Sequence, residues 1–364
     1  MKDSRSRAAH RTTGPQSPDY GTVIFEDVAE EPKVDMTQSL PVRSKRTERQ
    51  NKKLAKKSLR ASTAEPPRGL LDLPYELQFP IICMLQPSDV ITLLGVCKPI
   101  RNFILSEETR ISKHVIRLRY GCLAKCFRRP ILMKEVDPAL HRALQSPNRP
   151  EMAVNLQKRA YQQVRAPDPS VICTCLTCVL RWDLLCVAVD FEYWQKNLEN
   201  AQPITGISRG HNPDWNQKLL DRNAKIVLHA LHSDLFYARI LEAHLASTTG
   251  SIRRHAQNKG NRRRRFRMTE DDVRRGTADF LERSGPPTVE VPYHRDNYYM
   301  LEAFMPNRSW ITIRNEWAYM PEEQHEKDLN IAVRGEAGSG QPAGARELEA
   351  DQTSNTGQAG AVGI

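Results

Sequence analysis

Cys173, Cys175 and Cys178 stand close together in the chain, with Cys186 beyond them and Cys122 and Cys126 upstream. Thiolates at Cys-x-x-Cys spacing can share a tetrahedral zinc ion, and a second pair of ligands would have to come from Cys122 and Cys126. The same residues have another use. Val171, Cys175, Cys178, Trp182, Leu185 and Val189 recur at steps of three and four, one stripe of a helix on which free cysteine serves as a small core residue. A single Cys-x-x-Cys is an incomplete ligand set by known spacings, so zinc and plain core both stand as readings of these thiols.

Two basic clusters could meet phosphate or an import receptor. The first holds Lys45, Arg46, Lys52, Lys53, Lys56 and Lys57, paired basic residues of the kind that mark nuclear import. The second runs through Arg253, Arg254, Lys259, Arg262, Arg263, Arg264, Arg265 and Arg267. Phe266 is its one aromatic residue, so the stacking platform of single-strand binders is missing, and no zinc-finger or RNP pattern accompanies it. Arginines suit bidentate phosphate contacts, which makes Arg262 to Arg265 candidates for holding an acidic or phosphorylated target; a plain solvated loop is the other reading. Tyr298 and Tyr299 join them as target-binding candidates, since the stretch from Tyr293 to Tyr299, with Trp310 and Trp317, is the densest mixture of aromatic and polar residues in the chain. Burial statistics favour core for these aromatics.

Enzyme signatures are missing: no Gly-x-x-x-x-Gly-Lys, no Gly-x-Gly-x-x-Gly, no Gly-x-Ser-x-Gly, and His325-Glu326 lacks the second histidine of His-Glu-x-x-His. A hydrolase built on His211 or His294 is therefore the weakest functional reading.

The elements that must position these residues occupy only part of the chain. Residues 1–68 are rich in Ser, Thr, Pro, Lys and Arg and too poor in apolar surface to offset chain entropy, which predicts a disordered basic arm. The Gly, Ala, Gln and Ser run of 335–364 predicts a flexible tail. Between them lie most of the Leu, Phe, Tyr and Trp residues. Helical spacing appears over 74–85, 90–97 and 100–104, and again along 171–189. A long helix is expected from Asp214 to about Leu245, with Gly250 beyond its end. Alternation predicts strands only late, over 288–293 and 311–314, with Pro292 restricting the first to an edge. The expected fold is mainly helical with a small C-terminal β element.

The formal charge is +11, from 54 Lys and Arg against 43 Asp and Glu. Even the most apolar stretch, 179–191, carries Arg181, Asp183 and Asp190, which excludes a membrane span. The start of the chain has no apolar core of a secretory signal, so the nucleus or cytoplasm is the expected location, and the 8 cysteines are expected as thiols rather than disulfides.

The stretch LLDLPYELQFPIICMLQPSDVITLLGVCKPIRNFI, residues 70–104, closely resembles the F-box. Leu73-Pro74, Glu76-Leu77, Ile81, Leu85, Pro87-Ser88-Asp89-Val90, Leu93 and Val96-Cys97 follow the family's order and spacing without a gap. The resemblance implies three short helices over 69–108 and a Skp-type adaptor as partner, with Leu73, Pro74, Leu77, Ile81, Leu85, Pro87, Val90 and Val96 contacting or supporting it. Pro80 departs from the pattern, and a kink is expected there because proline lacks the N–H its helix needs. Pro99 suits the first turn of the third helix. More distantly, the remainder resembles F-box proteins of filamentous fungi, a likeness that carries no activity with it.

On that resemblance the chain is a non-catalytic substrate receptor of a cullin-RING ubiquitin ligase, with 109–334 holding the target. The alternative is a basic nuclear protein that binds nucleic acid through its two charged clusters, with affinity that falls steeply with salt.

Overall fold

The computed structural model describes residues 45–63, 69–145, 162–208, 211–260, 265–283 and 291–339. It divides into two units, one ending at Pro67 and one starting at Arg68.

In the first unit, residues of the expected disordered arm form a helix, α1 (Lys45–Thr63). Lysine, arginine and alanine are good helix formers, and no proline or glycine interrupts the run. Lys45, Arg46, Lys52, Lys53 and Lys56 are all exposed on it. Lys57 also lies in the helix. The rest of the arm lies outside the described residues.

The second unit is mostly helical, as expected. A single turn at Leu70–Asp72 leads into α2 (Tyr75–Met84), α3 (Pro87–Leu93) and α4 (Lys98–Ser106). These are the three short helices anticipated for 70–104. α2 runs through Pro80, which is exposed, and Pro99 falls in the first turn of α4. Next come α5 (Glu108–Arg119), α6 (Gly121–Cys126) and the short α7 (His141–Leu144).

α8 (Leu176–Tyr193) is the axis of the unit. Its residues from Thr177 to Phe191 are buried almost without interruption, as in a helix surrounded on all sides. The short α9 (Gln195–Glu199) follows it. The expected long helix is two: α10 (Asp214–His232) and α11 (Asp234–Gln257). Ser233 leaves the helical region with φ −133° and caps α11, its hydroxyl accepting from the Phe236 N–H. Ser-Asp is a helix start written inside an unbroken apolar stripe, and the cap prevails over the periodicity. Gly250 consequently lies within α11 rather than past its end.

α11 packs against α3, α5, α8 and α10, and it holds the 70–104 segment to the rest. Glu242 on α11 accepts from the Ser88 N–H at 2.9 Å and from its hydroxyl at 2.6 Å. Arg119 donates to the Met84 carbonyl at the end of α2, at 2.6 Å. No break falls at residue 108, because Ile82, Cys83, Val90 and Ile104 belong to the same buried cluster as Val115, Leu185 and Leu241. Segments too short to build a core alone borrow this one.

After α12 (Glu270–Arg275) and α13 (Phe280–Arg283) comes one hairpin, β1 (Arg308–Ile311) with β2 (Glu316–Tyr319), antiparallel and pairing Trp310 with Trp317. The expected strand over 311–314 therefore ends at Ile311, and Ile313 sits in the turn, fully in solvent. Of the strand expected over 288–293, Thr288 to Glu290 lie outside the described residues and Val291 to Tyr293 form no strand. The chain's last described helix, α14 (Gln324–Ser339), extends past the boundary expected at 335 and packs against α8 and α7. No described helix is long and apolar enough to cross a membrane.

Candidate functional site

Two places in the second unit depart from the usual sorting of side chains. The first is the outer face of α2. Leu77 is 51 % exposed, Ile81 42 % and Met84 64 %, all on one side of the helix. Val96, just after α3, and Leu105, on α4, are also more than half exposed. Adjacent Ile82 and Cys83 are fully buried, so the helix buries one apolar face and leaves another in water. Large contiguous apolar patches are uncommon on the free surface of a protein.

Of the residues expected to meet a partner, Pro74, Leu77, Ile81 and Val96 are exposed and Leu73 and Leu85 half-buried. Pro87 and Val90 differ from these six. Both are buried against the body of the protein, where they can support the surface but not touch what lies on it. The reason is Glu242, which draws the start of α3 onto α11.

The second place is a cluster of sulfur and nitrogen under α14. Cys173 leaves a short antiparallel bridge in which its N–H donates to Ile131 O at 3.0 Å and Leu132 pairs with Ile172. The chain then stays extended to Cys175, the N-cap of α8, so the helical stripe drawn from Val171 begins only at Cys178. An extended step followed by a helical turn turns all three thiols toward one point.

His325, in the first turn of α14, places Nδ1 3.3 Å from Cys175 Sγ and 3.3 Å from Cys178 Sγ. The four donor atoms lie within 4.8 Å of one another. The Cys178 N–H donates to Cys175 Sγ and the Ile131 N–H to Cys178 Sγ, both at 3.4 Å. Around them Met133, Val136, Leu144 and Ala332 form a second, smaller core. Asp328, one turn beyond His325, accepts from the Thr177 N–H at 2.8 Å and from its hydroxyl, placing a carboxylate at the positive end of α8.

The acid–base behaviour follows from crowding. Hydrogen bonds from Cys175 and Cys178 hold the Cys173 thiol far below its ordinary range, and the same sharing pushes Cys178 up to about 12 and Cys175 higher still. The cluster can hold a metal ion.

Cys122 and Cys126, the expected second pair, are elsewhere. They lie on α6, Cys122 with its thiol against the Ala278 carbonyl, and burial raises both. The fourth donor is His325, about 150 residues downstream of the thiols, a distance to which no spacing rule applies. In the sequence His325 stands out only as the near miss of His-Glu-x-x-His.

Tyr298 is a further correction. It is buried, donating to Asp190 Oδ2 at 2.8 Å, and so is not free to meet a target. Arg295 donates to the same carboxylate from Nε at 3.0 Å and Nη2 at 2.9 Å, and to Asn216 Oδ1 at 2.7 Å. Trp194 and Trp215 face its guanidinium. Nothing in the sequence pairs Asp190 with Arg295. Tyr299 is exposed, its hydroxyl accepting from the Ile204 N–H at 2.8 Å. Arg262, Arg263 and Arg264 lie outside the described residues; the Arg265 N–H donates to Glu302 Oε2 at 2.9 Å. Trp310 and Trp317 stack edge to face on the hairpin, half-buried.

Comparison with protein-family models, curated proteins and solved structures finds no match for this chain.

Proposed function

We propose that the chain is an F-box substrate receptor: residues 70–104 bind a Skp-type adaptor, and the remainder of the second unit holds a protein target for ubiquitylation by the attached cullin-RING ligase. The observation that carries this reading is the outer face of α2, where Leu77, Ile81 and Met84 stand in water on a helix whose opposite face is buried. The F-box-like order of residues 70–97 accounts for why those positions are apolar. The receptor contributes no bond chemistry of its own. It raises the effective concentration of a target lysine near the charged conjugating enzyme, a gain in proximity. A metal ion held by the cysteine cluster is a component of the receptor body under this reading.

Co-purification of the full chain with a Skp-type adaptor tests it, beside the triple variant Leu73→Ala, Pro74→Ala, Leu77→Ala. A complex with the native chain that the variant loses, at unchanged melting temperature, is expected; no complex with either protein overturns the proposal.

A second reading has the exposed lysines and arginines of α1 in its favour, a basic helix suited to nucleic acid and to the nucleus. Salt titration on generic duplex DNA decides it. Binding at micromolar strength or weaker that vanishes near physiological salt leaves only non-specific attraction.

A further inference from the structure

We propose that Cys173, Cys175, Cys178 and His325 form a closed, four-coordinate zinc site that fastens α14 to the start of α8. Four donors of the right kind converge on one point. A tetrahedral zinc ion with bonds of about 2.3 Å to sulfur and about 2.0 Å to nitrogen sets neighbouring donors about 3.5 to 3.8 Å apart. The two sulfur–nitrogen separations of 3.3 Å and the overall spread of 4.8 Å bracket those edges. Small inward and outward shifts of side chains complete the tetrahedron.

Backbone dipoles face the sulfurs, as they would around bound thiolates. Cys175 is the N-cap of α8, at the end of the helix where the dipole is positive. The Ile131 and Cys178 N–H groups donate to sulfur, the outer-shell contacts that orient and stabilise ligands. Three thiolates and Zn²⁺ leave a net charge of −1, which these dipoles face. Three soft sulfurs and an imidazole select zinc over magnesium or calcium, which prefer oxygen. All four positions are taken by protein, and Met133, Leu144 and Ala332 pack around them, so no place is left for a reacting water. The site is therefore structural. The thiols come from one short stretch and the imidazole from a helix far along the chain, so the ion acts as a clamp between them, next to the contact that Asp328 makes with Thr177.

The full chain, purified with a reductant and without chelator, is the material for the test. Elemental mass spectrometry should return one zinc per chain. Cobalt substituted for zinc should show the intense visible bands of a tetrahedral ion and thiolate-to-metal charge transfer. His325→Ala should weaken zinc by more than the roughly 10- to 100-fold typical of losing an outer-shell support. His325→Cys should restore affinity with a cobalt spectrum shifted toward four sulfurs, a result that a merely packing histidine would not give. Cys122→Ala should leave the stoichiometry unchanged. Chelation should open α14, seen as faster hydrogen exchange over 324–332. Metal-free protein that takes up neither zinc nor cobalt, a chain that carries iron instead, a disulfide among the three cysteines in the reduced preparation, or zinc held equally well by His325→Ala would each overturn the proposal.

Discussion

The outer face of α2 and the thiol–imidazole cluster under α14 break the ordinary sorting of side chains in opposite directions. One leaves Leu77, Ile81 and Met84 in water; the other takes three thiols and an imidazole into a core of Met, Val, Leu and Ala. The difference separates what waits for something outside from what is completed within. An apolar surface in water costs free energy until another molecule covers it, at about 25 cal/mol per Å². Buried donors that converge on one point are satisfied inside the molecule, by one another or by an ion.

The interior side of the contrast gives the largest expected effects. Arg295→Met removes one partner of the buried pair with Asp190 and leaves a carboxylate that is fully enclosed. A loss of about 3 to 5 kcal/mol is expected in urea unfolding, since an abandoned buried charge costs that much. A loss below about 1 kcal/mol would show that Tyr298 and Asn223 are enough to hold Asp190, and would weaken the division drawn here.

Two adjacent isoleucines then sharpen the comparison. Ile82→Ala opens a cavity where the side chain is 0 % exposed and should cost about 2 to 5 kcal/mol, whereas Ile81→Ala, one residue earlier, should change stability by less than about 0.5 kcal/mol. Paired denaturation curves check this. Equal losses would mean that the outer face is covered within the chain.

A pH effect of similar size comes from His244. It is buried, with its ring 4.3 Å from that of Phe127, and it bonds the Phe304 carbonyl through Nε2 at 2.7 Å. Burial pushes its pKa from 6.5 down to about 4. The folded form therefore resists a proton that the unfolded chain accepts. Its contribution is complete above pH 6.5, declines as pH falls through the interval, and is lost by about pH 4, a total on the order of 3 kcal/mol. His244→Gln should flatten that part of the stability–pH curve.

The smallest expected change in stability carries the largest change in binding. Leu77→Glu with Ile81→Glu should shift unfolding by no more than about 0.5 kcal/mol, because both side chains already face water. Under the receptor reading the same pair should abolish adaptor capture by size-exclusion chromatography. Capture that survives two charges on this face would place the contact elsewhere.

The helical class, the late β element and the three short helices of 70–104 were legible because spacing, proline and caps are local signals. What escaped was non-local or a contest between two local signals. The single stripe from 214 to 245 concealed the cap at Ser233, and the stripe from Val171 concealed the extended bridge that carries Cys173. Exposure of Ile81 beside buried Ile82 depends on where α5 and α11 lie, which no period in the sequence records. The thiol set is visible as a motif, yet spacing points for its partner to Cys122 and Cys126, because nothing local ties it to a histidine beyond the hairpin. In the same way, the scarcity of apolar surface in the basic arm predicts disorder, although its Lys, Arg and Ala content also favours the helix of α1.

The bond between Thr177 and Asp328 spans 151 residues. During synthesis the start of α8 leaves the ribosome long before its carboxylate cap exists, and the three cysteines wait equally long for His325. The smaller core is thus completed only once the chain as far as α14 has been made.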